Sequence, residues 1–190
     1  MRFEIFKKKQ KQEFDHFIKE KYGFDLPSCQ IIKQSTDKLR IFTGNLSEHE
    51  LSVLSGTVRV ETAGLYLATW DTTNEEKKQE SIRLSFDASF LGKDATKNVL
   101  ELDDEQVKQW FKGDDISLEK PSETQSLNTD SNHKLTFNQS ITLTSTNELT
   151  NTLTSQEFIL LKYKDEIVGC GKLAQNKILN FVPKERRIKY

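Results

Sequence analysis

The residues best equipped for chemistry stand at the end of the 190-residue chain. Val168-Gly169-Cys170-Gly171-Lys172 is followed by Asn180-Phe181-Val182-Pro183-Lys184-Glu185-Arg186-Arg187-Ile188-Lys189-Tyr190. From Lys172 to Lys189, six Lys or Arg are opposed by Glu185 alone. Such a set suits phosphate. Gly169 and Gly171 let a backbone approach a ribose-phosphate closely, and Lys172 adds a mobile point charge. Arg186 and Arg187 carry guanidinium forks that match phosphate oxygens bidentately, and Lys184 and Lys189 extend the same field. Asn180 can read a base edge or tie down a turn. The competing account makes the two glycines a bulge and the tail a solvated edge protected by charge. Spacing by itself favours neither.

No comparable set points to catalysis. Asp103 with Asp104 and Asp114 with Asp115 are acidic pairs, yet neighbouring carboxylates at a helix start serve the cap and the dipole. Cys29 has no histidine near it in sequence, and Cys170, between two glycines, reads as an inward-facing strand residue. Gly169-x-Gly171 leads into another strand rather than a helix, so the helix-terminus mechanism for holding phosphate is missing. His16, His49 and His133 form no spaced pair, and two distant cysteines make neither a zinc framework nor a disulfide scaffold. The expectation is a protein with no catalytic residues, no cofactor and no metal.

The chain as a whole is not basic, because its net charge is −1. Any cationic function must come from uneven placement of charge. Arg2, Lys7, Lys8, Lys9 and Lys11 make the opening residues basic, whereas acidic residues gather in Asp103-Asp104-Glu105 and Asp114-Asp115. No run approaches the roughly 20 apolar residues of a membrane span, and the opening residues lack a signal-peptide pattern. A soluble cytoplasmic protein without membrane contact is expected.

The elements that must position the tail follow from hydrophobic periodicity. Arg2 to Phe6 alternates as a short strand, and Lys9 to Tyr22 places Phe14, Phe17, Ile18 and Tyr22 on one helical face that Gly23 closes. Cys29 to Ile32 and Leu39 to Phe42 predict two strands around a polar turn. Ser47 with Glu50 is a capping box opening a helix that ends at Gly56. Residues 1–56 thus read as a small α+β unit, near the lower size limit for a core of its own.

Thr57 to Trp70 is strand-like but interrupted at Ala63-Gly64, where a bend or bulge is expected. Ser81 to Phe86 alternates, with Arg83, Ser85 and Asp87 on its polar face. Asn98 to Leu102 predicts a strand that delivers Asp103 as an N-cap, paired with Gln106, for a helix bearing Val107, Trp110 and Phe111 and ending at Gly113. Residues 117–155 are dominated by Ser, Thr and Asn, and low hydrophobicity predicts a disordered insert. Within it, Leu135, Phe137, Ile141 and Leu143 alternate as an extended arm would. Glu157 to Tyr163, Ile167 onward and Ile178 to Val182 then predict a three-stranded meander.

Several of these residues carry a resemblance. Arg59 to Leu65, Leu100 to Asp103 leading to Trp110-Phe111-Lys112-Gly113, Val168 to Lys172, and Asn180 to Ile188 are similar to the PUA-like RNA-binding domain. The likeness is to the form found at the C-terminus of Fmu/Sun-type RNA cytosine-5 methyltransferases and in stand-alone archaeal ribosome-biogenesis proteins. It spans residues 57–116 and 156–190, and its best motif is G-x-G-K followed by N-x-x-P-K-x-x-R. The resemblance implies an α+β fold: the small N-terminal unit followed by a PUA-like mixed β pseudo-barrel with short helices. It also implies that Gly64, Leu65, Lys172, Arg186 and Arg187 lie near an RNA-holding face. The chain departs from the methyltransferases in having no S-adenosylmethionine fold and no Pro-Cys motif, so only the binding role transfers. The expected partner is structured rRNA or tRNA rather than DNA, in ribosome biogenesis or RNA modification. A methyltransferase or pre-ribosomal particle acting in trans is a further expected partner, and the alternative reading is an assembly factor or accessory subunit for such an enzyme.

Overall fold

The computed structural model describes residues 4–71, 81–118 and 157–189. Two five-stranded sheets and three α-helices make up the described residues, an α+β architecture. The first sheet is antiparallel throughout, in the order β1 (Glu4–Ile5), β2 (Gln30–Lys33), β3 (Lys38–Phe42), β4 (Leu65–Asp71), β5 (Ser81–Leu84). Helices α1 (Lys8–Tyr22) and α2 (Glu48–Thr57) lie in its connections. The second sheet runs β6 (Val99–Glu101), β8 (Phe158–Tyr163), β9 (Glu166–Ala174), β10 (Lys177–Leu179), β7 (Ile116–Ser117), with α3 (Asp104–Lys112) between β6 and β7. Among the described residues only the β6–β8 pair is parallel. The predicted meander is β8-β9-β10, in which each strand pairs with the next.

Those meander strands explain how the two sheets share one interior. Leu160 and Cys170 join the core built from α1 and the first sheet, with Phe14, Ile18, Tyr22, Leu67 and Ile82. Ile159 and Leu161 point the other way, into the core of Trp110, Ile116, Ile178 and Val182. Successive side chains of a strand alternate faces, so a strand covered on both sides needs an unbroken apolar run. Phe158-Ile159-Leu160-Leu161 is that run.

The predicted caps are present. Asp103 accepts from the backbone N–H groups of Glu105 (2.9 Å) and Gln106 (2.8 Å), and the Gln106 side chain accepts from Asp103 N–H at 3.0 Å. Gly113 closes α3 in the left-handed conformation. The Ser47 and Glu50 box opens α2 in the same reciprocal way. Asp103→Ala is expected to cost about 1 kcal/mol, the usual value of an N-cap, read as a lower urea midpoint with unchanged slope.

Three readings of the sequence differ from the structure. The run from Thr57 to Trp70 is strand only from Leu65 onward, and Val58 is half-exposed. Gly64 turns the chain there with a positive φ of 71°, and the Arg40 guanidinium donates to the carbonyls of Ala63 and Gly64. These carbonyls are thereby satisfied outside the sheet. Second, β4 and β5 pair into the first sheet, which therefore runs across the 56/57 boundary. Third, β10 stops at Leu179, and the basic tail forms a 3-10 turn at Lys184–Arg186 instead of continuing as a strand. Strand β7, missed in the sequence, pairs with β10 through Ile116 and Ile178. The predicted insert of residues 117–155 lies, beyond Leu118, outside the described residues.

Candidate nucleic-acid interface

The structure divides the sequence-predicted site residues into those that hold the fold and those that face water. Gly169 and Gly171 are buried and serve internal packing. Opposite β8, Leu161 pairs with Gly169 and Lys162 with Ile167, so Val168 is left over as a bulge. The Val168 carbonyl, released from the ladder, accepts the Trp110 indole N–H at 2.9 Å. Gly169, at φ 153°, lies against the same indole: a Cβ there would stand 2.7 Å from Trp110 Cζ2. A Cβ on Gly171 would run into Ile178. Neither glycine is open to a ribose-phosphate, which corrects the expectation drawn from G-x-G.

Asn180 is likewise occupied. Its Nδ2 donates to the carbonyls of Trp110 (2.7 Å) and Asp114 (3.0 Å), and its Oδ1 accepts from Val182 N–H at 2.8 Å. Asp115 accepts from Asn180 N–H and from Lys177 Nζ, and these hydrogen bonds, the lysine's first, hold its carboxyl below the usual range. Asn180 is the tie that turns the chain off β10, not a base reader. Arg187 packs on Gly113 and donates through Nε to the Val182 carbonyl at 3.1 Å. Gly64 and Leu65 are on the first sheet beside Ile41 and Phe42, in a shallow apolar groove with Phe90 and Leu91. The structure does not gather them with the cationic tail.

Lys172, Lys184, Arg186 and Lys189 are the predicted cations that reach solvent. Arg186 is 58% exposed and pairs at 3.0 Å with Asp87, in the turn after β5. Lys172 Nζ is 5.8 Å from the centroid of the Phe158 ring, its cross-strand neighbour. Phe158 in turn meets Phe181 (5.8 Å between centroids), and the Arg83 guanidinium lies over Phe181 at 4.5 Å. Arg83, Phe181, Phe158 and Lys172 thus form one continuous half-buried row joining β5 of the first sheet to β8 and β9 of the second.

Arg83, Phe158 and Phe181 were not singled out from the sequence. The available signal was weak: Arg83 on the polar face of an alternating strand, and two aromatics in runs that read as core. The groups considered for catalysis are otherwise engaged. Asp103 caps α3, and Asp104 accepts from the Tyr163 hydroxyl at 2.7 Å. Burial pushes the Cys170 thiol up to about 11, and burial raises that of Cys29 as well.

Residues 141–188 match the family model described as the methyltransferase RsmF PUA domain. The chain carries a PUA-like domain. The matched segment contains the whole β8-β9-β10 meander, the Lys184–Arg186 turn and three members of the row, Phe158, Lys172 and Phe181. It begins at residue 141, within the segment rich in Ser, Thr and Asn. This PUA-like domain resembles the C-terminal domain of Fmu/Sun-type methyltransferases, and its type points to RNA binding in general. No curated protein matches the chain. Among the described residues, no helix is long and apolar enough to cross a membrane.

Proposed function

We propose that the protein binds structured rRNA or tRNA without catalysing a reaction, in the cytoplasm, during ribosome biogenesis or RNA modification. One observation carries the reading. The segment matched by the PUA model presents Lys172, beside the Phe158 ring, and Lys184 and Arg186 of the turn after the meander to solvent. Lysine and arginine contacts to phosphate release counterions and supply affinity without reading sequence, while the A-form helix selects by shape. A non-catalytic role is supported by the engagement of Asp103, Asp104 and Asp115 in caps and ties, and by the burial of Cys170.

The test is RNA binding measured across salt concentration for wild type and for Lys172→Ala/Lys184→Ala/Arg186→Ala. These side chains make no contact that the core needs, so the variant should fold normally. Its slope of log affinity against log salt should be shallower by roughly 2, given about 0.7–0.9 for each phosphate that is no longer neutralised. Wild-type affinity and slope in the variant, on both tRNA and rRNA fragments, would refute the reading. So would wild-type protein that binds neither RNA yet co-purifies with a methyltransferase, which would favour the accessory-subunit role.

A further inference from the structure

The row across the two sheets has a composition that packing alone does not call for. Two phenylalanines, half-exposed, are flanked by a guanidinium at one end and an ammonium at the other. The chain has 29 Asp and Glu, yet among the described residues none forms an ion pair with Arg83 or Lys172. Among the described residues, Arg83 makes a 3.4 Å hydrogen bond to the Thr69 hydroxyl besides its contact with Phe181. Neither positive charge meets a carboxylate among the described residues, and two aromatic rings tilted at 58° lie between them.

Resting on the RNA-binding reading, we propose that this row seats one unpaired nucleotide of the bound RNA. The base stacks on the exposed part of the Phe181 ring, beside the tilted Phe158, and Arg83 and Lys172 take the flanking phosphates. Unstacked bases are recognised by aromatic faces and arginine planes, and every base offers a π-face, so the seat tolerates any base. A cation over an aromatic ring is attracted by the ring quadrupole, which keeps Arg83 and Lys172 at the two ends of the seat. The seat also makes the first sheet part of the RNA surface, because Arg83 is on β5 while the other three residues belong to the second sheet or its tail. The unit before the matched segment is then a contributor to recognition and not only a support.

Two RNA hairpins serve as probes, one with an ordinary unpaired loop and one whose loop nucleotides are abasic, equal in charge. Wild type should prefer the base-bearing loop by about tenfold, the scale of one stacked base. Phe181→Leu keeps apolar bulk but removes the flat face, and should abolish that preference, with the abasic hairpin losing only the smaller share due to Arg83, which the ring holds in place. Phe181→Tyr should restore it, which separates stacking from a folding defect. If Phe181→Leu weakens both hairpins equally, the ring only cements the sheets and the seat is refuted. If wild type does not distinguish the hairpins while the triple lysine and arginine variant loses both, the RNA reading stands and the seat falls.

Discussion

Gly169→Ala is expected to destabilise the protein by about 2–5 kcal/mol, the sum of a strained backbone region and an overpacked core. Two independent costs act at one atom. The backbone holds φ at 153°, where an L side chain is disfavoured, and the new Cβ would meet the Trp110 ring at 2.7 Å. Trp110 cannot retreat, because it is fully buried and its indole N–H is bound to the Val168 carbonyl. Urea denaturation should show the lower midpoint. Trp110→Phe removes the offending part of the ring at the cost of that hydrogen bond. The double variant should therefore be more stable than the sum of the two single losses, by at least about 0.5 kcal/mol. A Gly169→Ala protein with the wild-type midpoint would disprove the close glycine–indole contact.

Asn180→Ala should cost about 2–4 kcal/mol, since one side chain satisfies three backbone groups and each orphaned group costs about 1 kcal/mol or more. The Asp114 carbonyl, just past the end of α3, and the Val182 N–H would be orphaned outright, whereas the Trp110 carbonyl would keep the Gly113 N–H at 3.1 Å. Asn180→Asp is the sharper test, because it keeps the shape and reverses one end of the chemistry. A carboxylate oxygen would replace Nδ2 and face two carbonyl oxygens, so the aspartate variant should be at least as unstable as the alanine one at neutral pH. If Asn180 instead reads a base, both variants will keep their stability and lose RNA affinity. Thermal melting with and without RNA separates the two outcomes.

The G-x-G-K motif shows why function was harder to read than fold. Its glycines, its cysteine and its lysine are consecutive, and a sequence cannot say which side of a strand faces a neighbour. Once β9 is inserted between β8 and β10, alternation sends Gly169 and Gly171 toward Trp110 and Ile178, and sends Cys170 toward the first sheet. Lys172, on the same face as Cys170, is at the rim where that face meets water. The basic tail was divided in a similar way: Arg187 turned inward onto Gly113, while Arg186 turned outward toward Asp87.

Local chemistry determined much of this protein from its sequence alone. The caps at Asp103 and Ser47, the glycine stops at Gly23 and Gly113, the amphipathic α1 and the β8-β9-β10 meander depend on neighbours within a few residues. The PUA likeness was legible for the same reason, since it is carried by short motifs around those elements. Tertiary structure alone decided that β4 and β5 join the first sheet, and that Arg83 meets Phe181, and through it Phe158, from the other half of the chain. Such contacts form because both faces of the meander must be covered by apolar surface, and no periodicity names the partner that covers them. The row of rings and charges at the edge where the two sheets meet is a product of that docking.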